Sequence, residues 1–431
     1  MSSIQAIRGT RDILPSESPL WVVIEGIARQ VLSQSAYREI RTPIFEMSEL
    51  FARGIGEATD AVGKEMYSFE DRGGRSIALR PEITAGLVRA FIQNKLFAQG
   101  GVQRLWHLGP AFRYERPQAG RQRQFHQLDV EILGSRDARA DVEIIAIATQ
   151  ILNTLGLKAL SLDLNSVGSG EDRRNYRDAL VAYFTPYKLE LDTDSRDRLD
   201  RNPLRILDSK DKRTQEIVTD APSLLDFLSD DSRRHFDAVQ QHLTNIGIDF
   251  TINPRLVRGL DYYTHTAFEI QSSDLGAQAT VCGGGRYDGL VAQLGGPDTP
   301  AIGFGMGMER LVILLEQMGQ YTTEPLLDIY LISRGKKAEL QSVKLAHQLR
   351  QNGYSVEVDL SGSAFGKQFK RADRSGAVLG LILGDAEVDA QKVQLKWLGS
   401  NEQSELTQAE LVKKMDEIKS KIAAVRAQST L

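Results

Sequence analysis

The chain has 431 residues, 41% hydrophobic and 26% charged, a globular composition with length for two or three domains. Its formal net charge of −4 excludes a protein that coats nucleic acid by bulk electrostatics, so any nucleic-acid contact must be local. One cysteine, Cys282, excludes an internal disulfide, no Cys/His cluster has zinc-ligand spacing, and no apolar run reaches about 18 residues. With no apolar signal core at the N-terminus, a soluble, cytoplasmic chain without a membrane span is expected.

In chain order, Ser16 or Ser18 can cap a helix whose apolar face carries Trp21, Ile24, Ile27 and Val31. Residues 37–45 then read as a strand interrupted at Pro43, hence an edge or a bulge. Residues 76–80 read as a short strand, with Pro81 in the first turn of a helix running through Val88 and Phe91. Glu82 and Thr84 fall in that turn, where a carboxylate compensates the helix dipole as readily as it binds a ligand. Residues 109–134, GPAFRYERPQAGRQRQFHQLDVEILG, alternate with period two around a polar turn and predict a β-hairpin. In its return strand Phe125, Gln127, Asp129 and Glu131 share one face, and Arg113, Arg116, Arg121 and Arg123 crowd the same hairpin. That mixture suits a ligand with anionic and cationic parts, and it equally suits a solvated sheet face.

Residues 141–155 predict a helix and 160–167 a strand; from about 170 to 248 the chain is polar, strand-poor and spaced for helices. Residues 250–254 return to strand and lead into LVRGLDYYTHTAFEI at 256–270, with Arg258 in a turn and Tyr262 and Tyr263 opening an alternating strand. CGGGRYDGLV follows from Cys282, its three glycines permitting close approach to a ligand or simply a flexible turn. AIGFGMGMERLVILLEQMG at 301–319 reads as a strand of alternate glycines passing into an apolar helix that carries Arg310. GSAFGK at 362–367 is one residue short of a phosphate-binding loop and no dinucleotide fingerprint is present. A bound nucleotide would therefore be held by side chains. A boundary is expected near 321–325. Beyond it, strands at 328–332, 355–360, 377–383 and 392–398 alternate with helices at 336–351, 367–374 and 408–422, which predicts an α/β domain with a largely parallel sheet. Residues 326–431 hold 16 Lys and Arg against 13 Asp and Glu, a mild basic excess.

Phe112, Arg113, Glu115 and Phe125 resemble motif 2 of the class II aminoacyl-tRNA synthetases, the stretch ending at Pro43 resembles motif 1, and 301–319 with Arg310 resembles motif 3. The wording FRYERPQAGRQRQFHQ, together with LVRGLDYYTHTAFEI and CGGGRYDGLV, resembles the histidyl-tRNA synthetase family in particular. The resemblance implies an α+β catalytic core on an antiparallel sheet at 1–325, interrupted by a helical insertion at about 170–248 that in the family closes over the acceptor stem. It also implies an α/β anticodon-binding domain at 326–431 and a homodimer. The implied reaction joins L-histidine to ATP as histidyl-adenylate, with release of pyrophosphate. The histidyl group then passes to the histidine tRNA, with release of AMP.

Carried over by position, Arg113 and Arg258 would flank the α-phosphate as catalytic residues, Arg310 would hold the far phosphates, and Arg121 would assist ATP binding. Phe125 would stack on adenine and Glu115 meet its edge. Glu82, Thr84 and Gln127 would bind the amino group, Glu131 and Tyr263 would address the imidazole, and Tyr262 would line the same pocket. Arg116, Gln118 and Arg123 would meet the tRNA acceptor end, where the family's tRNA carries an extra 5′ guanosine. Magnesium is expected as part of the ATP complex, with no protein metal site, no tightly bound cofactor and no editing domain. The competing resemblance is to the catalytically inactive, synthetase-like regulatory subunit of histidine biosynthesis; retention of Arg113, Arg258 and Arg310 argues against it.

Overall fold

The computed structural model describes residues 4–429 except 57, 58, 208, 257, 279, 320, 322–326 and 401. Residues 1–321 and 322–431 form two compact units, and the linker expected near 321–325 lies almost wholly outside the described residues.

In the first unit, eight strands among the described residues form a sheet in the spatial order Arg38–Glu39, Gln103–Phe112, Gln124–Leu133, Ala301–Gly307, Thr280–Arg286, Thr264–Ser272, Leu160–Ser166, Thr251–Ile252. Its six central strands are antiparallel and the two short outer ones pair parallel. Alternation along Gln124–Leu133 divides the sheet into two working faces. Leu128, Val130 and Ile132 point into a core shared with Trp21, Ile24, Ile144, Ile151, Leu311 and Leu315 of the helices Ser18–Gln34, Ala138–Thr154 and Met308–Met318. Gln127, Asp129 and Glu131 point the other way, into a cavity. A hydrophobic face thus anchors the strands while the opposite face carries polar groups.

The expected single strand at 37–45 is instead two short strands in different sheets. Arg38–Glu39 pairs with Gln103–Phe112, whereas Phe45–Met47 joins Ser76–Leu79 and Ser68–Glu70 in a separate three-stranded sheet. Pro43 lacks the N–H that a continuous ladder requires. The carbonyls of Thr42 and Pro43 accept instead from the buried Arg80 guanidinium at 3.1 and 3.3 Å. The next helix, Thr84–Gln93, starts three residues after Pro81 and not at it. Glu82 therefore precedes the first turn, where its Oε1 accepts from the Ala85 N–H at 2.9 Å and satisfies one of the helix's open donors.

The helical stretch after residue 170 divides. Helices Gly170–Phe184, Thr193–Arg201 and Lys212–Thr219 gather around Tyr176, Leu180, Phe184, Leu199 and Ile217. Helix Asp230–Asn245 sends Phe236, Val239 and Leu243 into the core beneath the large sheet. Buried Asp172 joins the two parts by accepting from the Ser229 N–H at 3.0 Å and the Ser232 hydroxyl at 2.5 Å.

The second unit holds a five-stranded sheet in the order Val356–Val358, Ile329–Arg334, Leu379–Gly384, Lys392–Trp397, Gln403–Thr407. The first three strands are parallel and the last two antiparallel, so the sheet is mixed and not largely parallel. The polar edge strand Gln403–Thr407 had no sequence signal, and the last helix is broken at Lys414 into Gln408–Lys413 and Met415–Ser429. No described helix is long and apolar enough to cross a membrane.

Candidate active site

A cavity of about 420 Å³ opens on the polar face of the large sheet. Its floor exists because the neighbouring strands lack side chains. Gly303 lies across the ladder from Glu131, and a Cβ there would sit 1.5 Å from Glu131 Oε2. Gly283 clears the Arg258 guanidinium, which a Cβ would approach to 2.5 Å. Both glycines are required by close approach, though to side chains of the chain itself, where the sequence suggested approach to a ligand.

One end of the cavity is carboxylate-lined. Glu131, 1% exposed, has both oxygens engaged: Thr84 donates to Oε1 at 2.8 Å and Tyr287 donates to Oε2 at 2.6 Å. Burial pushes its carboxyl up to about 8, against these hydrogen bonds. Asp129 is raised well above the ordinary carboxylate range, by burial first and then by Glu131 and Glu82. Burial also raises Glu82, whose Oε2 is buried without a hydrogen-bond partner. The rings of Tyr262 and Tyr263 lie 4.7 Å apart, with Tyr287 5.5 Å from Tyr262, and close this end.

Guanidiniums line the same cavity. Arg113 donates from Nε to the Pro81 carbonyl at 2.8 Å and lies 5.4 Å from the Phe125 ring. Arg258 pairs with Glu269 and sits 5.7 Å from the Tyr263 ring. Arg310 donates to the Thr280 carbonyl, and Gly120 of the hairpin turn rests on it, since a Cβ there would come within 3.0 Å of its side chain. Burial first, then Arg121, pushes the Arg310 guanidinium below its usual range, a crowding of positive charge that an anion relieves.

The structure thus brings Glu82, Thr84, Arg113, Glu115, Arg121, Phe125, Gln127, Glu131, Arg258, Tyr262, Tyr263 and Arg310 around one cavity. The hairpin turn divides the remaining expected residues. Arg116 and Gln118 are exposed at its tip, where Gln118 and Arg121 exchange backbone hydrogen bonds of 3.0 and 2.9 Å. Arg121 and Arg123 fold back instead of projecting: Arg121 pairs with Glu115, and Arg123 stacks 3.8 Å over Tyr114 while its N–H donates to the Gly9 carbonyl at 2.7 Å. Sequence reasoning named no role for Asp129, Tyr287 or Glu269. Tyr287 stood within CGGGRYDGLV, Asp129 on the face shared with Gln127 and Glu131, and Glu269 within LVRGLDYYTHTAFEI, but nothing in the sequence pairs Glu269 with Arg258.

An antiparallel sheet floored by glycines, a hairpin folded over an arginine from the last strand–helix junction, and guanidiniums facing carboxylates across one cavity define a class II aminoacyl-tRNA synthetase core. Residues 9–170 and 191–311 match the histidyl-tRNA synthetase family profile, and residues 328–418 match that of the anticodon binding domain. The chain is 66% identical to the histidine–tRNA ligase of a Picosynechococcus species, over 98% of this chain and 99% of that one. It is also 66% identical to the enzyme of Synechococcus elongatus, over 100% and 98%. The structure of apo histidyl-tRNA synthetase from S. aureus superposes with a TM-score of 0.81 at 38% identity, covering 95% of this chain and 99% of that one. The chain belongs to the histidyl-tRNA synthetase family.

Proposed function

We propose that this chain joins L-histidine to its tRNA at the expense of ATP. The observation that carries the reading is one cavity lined both by guanidiniums and by buried carboxylates, which complements an amino acid joined to a polyphosphate. In the first step a histidine carboxylate oxygen attacks the α-phosphorus of ATP, and the bond from that phosphorus to the β-bridging oxygen breaks, releasing pyrophosphate. Arg113 and Arg258 would offset charge developing at the α-phosphate, while Arg310, with Arg121 beside it, would hold the leaving phosphates. Phe125 would stack on adenine and Glu115 would meet its edge. Magnesium would arrive with ATP and neutralise phosphate charge. Catalysis then consists of positioning and preorganised charge, with no covalent enzyme intermediate.

Glu82, Thr84 and Gln127 would face the amino group and Glu131, Tyr262 and Tyr263 the imidazole. Buried hydrogen-bonding groups left unpaired by another amino acid supply selectivity, on the order of 10⁴-fold. In the second step a ribose hydroxyl of the terminal adenosine attacks the activated carbonyl; the carbonyl–phosphate oxygen bond breaks, AMP leaves and the hydroxyl proton is released. Arg116 and Gln118 at the hairpin tip would meet the acceptor end, and the C-terminal unit would engage the anticodon. A cytoplasmic homodimer completes the reading. Pyrophosphate exchange into ATP, measured with each of the standard amino acids, tests it. Exchange dependent on histidine is expected; exchange without histidine dependence, or none, overturns the reading.

A further inference from the structure

We propose that Asp129 is a third acceptor for the substrate's α-ammonium group, completing with Glu82 and Gln127 a cradle of three buried oxygens. The inference rests on the amino-acid pocket proposed above and adds a residue to it. Glu82 Oε2, Gln127 Oε1 and Asp129 Oδ2 are each buried, each without a hydrogen-bond partner, and all three residues line the same cavity. An unpaired buried acceptor is costly, so three on one wall imply a ligand that satisfies them. A primary ammonium presents three N–H donors on one atom and carries the charge that buried carboxylates lack.

Of the neighbouring polar groups, Thr84 and Glu131 are already engaged with each other, while His107, opposite Asp129 on the other ladder, spends Nδ1 on the Ile40 carbonyl at 2.7 Å and leaves Nε2 buried without a partner. Thr84 donates its hydroxyl proton to Glu131, which leaves its oxygen free only to accept, and Glu131 has an oxygen on Thr84 and the other on Tyr287. Asp129 is uncovered on its far side, because its partner across the ladder is Gly305, where even a Cβ would stand 3.2 Å from Asp129 Oδ1. Arg80 and Arg113 attract the carboxylate from a distance, but neither is hydrogen-bonded to it. Burial and the neighbouring Glu131 and Glu82 disfavour its charged form in the free protein, and an arriving cation reverses that balance.

The test uses two ligands that differ at the ammonium. L-Histidinol keeps the amine and the imidazole; 3-(imidazol-4-yl)propanoate keeps the imidazole and the carboxylate but has no amine. Calorimetric binding to the full chain is compared for the parent and Asp129→Asn. A roughly 10- to 100-fold loss for histidinol is expected, the scale of a hydrogen bond to a charged group, with binding of the propanoate unchanged within about twofold. The KM for histidine in pyrophosphate exchange should rise more than kcat falls. Equal weakening of both ligands, or of neither, overturns the assignment of Asp129 alone. Failure of the parent to bind either ligand overturns the pocket assignment itself and this inference with it. Asp129→Ser supplies the same comparison should the Asn variant fail to fold.

Discussion

Replacing Gly303 by Ala is the most demanding check on the amino-acid end of the cavity, because the added methyl group has nowhere to go. It would stand 1.5 Å from Glu131 Oε2, 2.3 Å from the carboxyl carbon and 2.6 Å from the Val130 carbonyl oxygen. Ordinary non-bonded separations are about 3.5 Å, so the carboxyl group must retreat by roughly 2 Å. That retreat breaks the hydrogen bonds from Thr84 and Tyr287. Leaving a buried hydrogen-bonding group unpaired costs about 1–3 kcal/mol, so disruption of both is a loss on the order of 2–6 kcal/mol, shared between folding stability and histidine binding. If half falls on binding, kcat/KM for histidine drops roughly 5- to 200-fold. The KM for ATP should stay near that of the parent, since Glu131 is held by Thr84 and Tyr287 and not by a guanidinium. The assay is pyrophosphate exchange titrated with each substrate in turn, with thermal unfolding of both proteins alongside. A histidine KM within about twofold of the parent, in a variant of unchanged stability, would refute the packing argument.

Arg258→Ala should lower adenylate formation about 10²–10³-fold while circular dichroism shows a retained fold, because the guanidinium is a charge donor beside Glu269 and not an apolar core group; near-parental exchange would remove it from the machinery. Gln118→Ala, at the exposed hairpin tip, should reduce aminoacylation of tRNA bearing the extra 5′ guanosine and spare pyrophosphate exchange; undiminished discrimination against tRNA lacking that nucleotide would leave the tip a solvated loop. Glu131→Gln should alter the pH dependence of stability in the ligand-free protein. With a folded-state value of about 8 against an ordinary 4.5, the native state holds a proton that the unfolded chain has lost, so this group's contribution is complete below about 4.5 and declines as pH rises toward 8. Denaturant unfolding at pH 5 and pH 8 should show that decline reduced in the variant, and identical declines in both proteins would contradict the buried, proton-holding carboxyl.

Local periodicity carried the hairpin and most of the helices, because a face that packs on a core repeats along the chain. It misled where the chain changes sheets: nothing in the wording of 37–45 distinguishes one kinked strand from two strands in different sheets. The edge strand Gln403–Thr407 is polar because it has one paired side and an open edge, so it reads as loop. The arginines of the site were legible as a set only through resemblance, since Arg113, Arg258 and Arg310 come from three distant stretches. The carboxylate end was harder. A strand face bearing Gln127, Asp129 and Glu131 looks solvated until the glycines opposite and Tyr287 are folded over it. Which hydroxyl holds which oxygen is a tertiary fact, invisible to any window of sequence.

Apart from the short outer strand Arg38–Glu39, the large sheet is made of two blocks, a local hairpin at 103–133 and a group of strands at 160–307, joined along a single ladder between Gln124–Leu133 and Ala301–Gly307. That ladder is a seam, and the amino-acid pocket straddles it, with Glu131 and Asp129 on one side and Gly303 and Gly305 on the other. Pairings so distant in sequence bear a large loop-closure cost and form late relative to the hairpin itself. On the proposed assignment the pocket draws residues from both blocks, so bound histidine would favour chains in which the seam is closed. A ligand at 100 times its Kd would favour that closed state by about 2.7 kcal/mol, which would make the substrate a stabiliser of this long-range pairing.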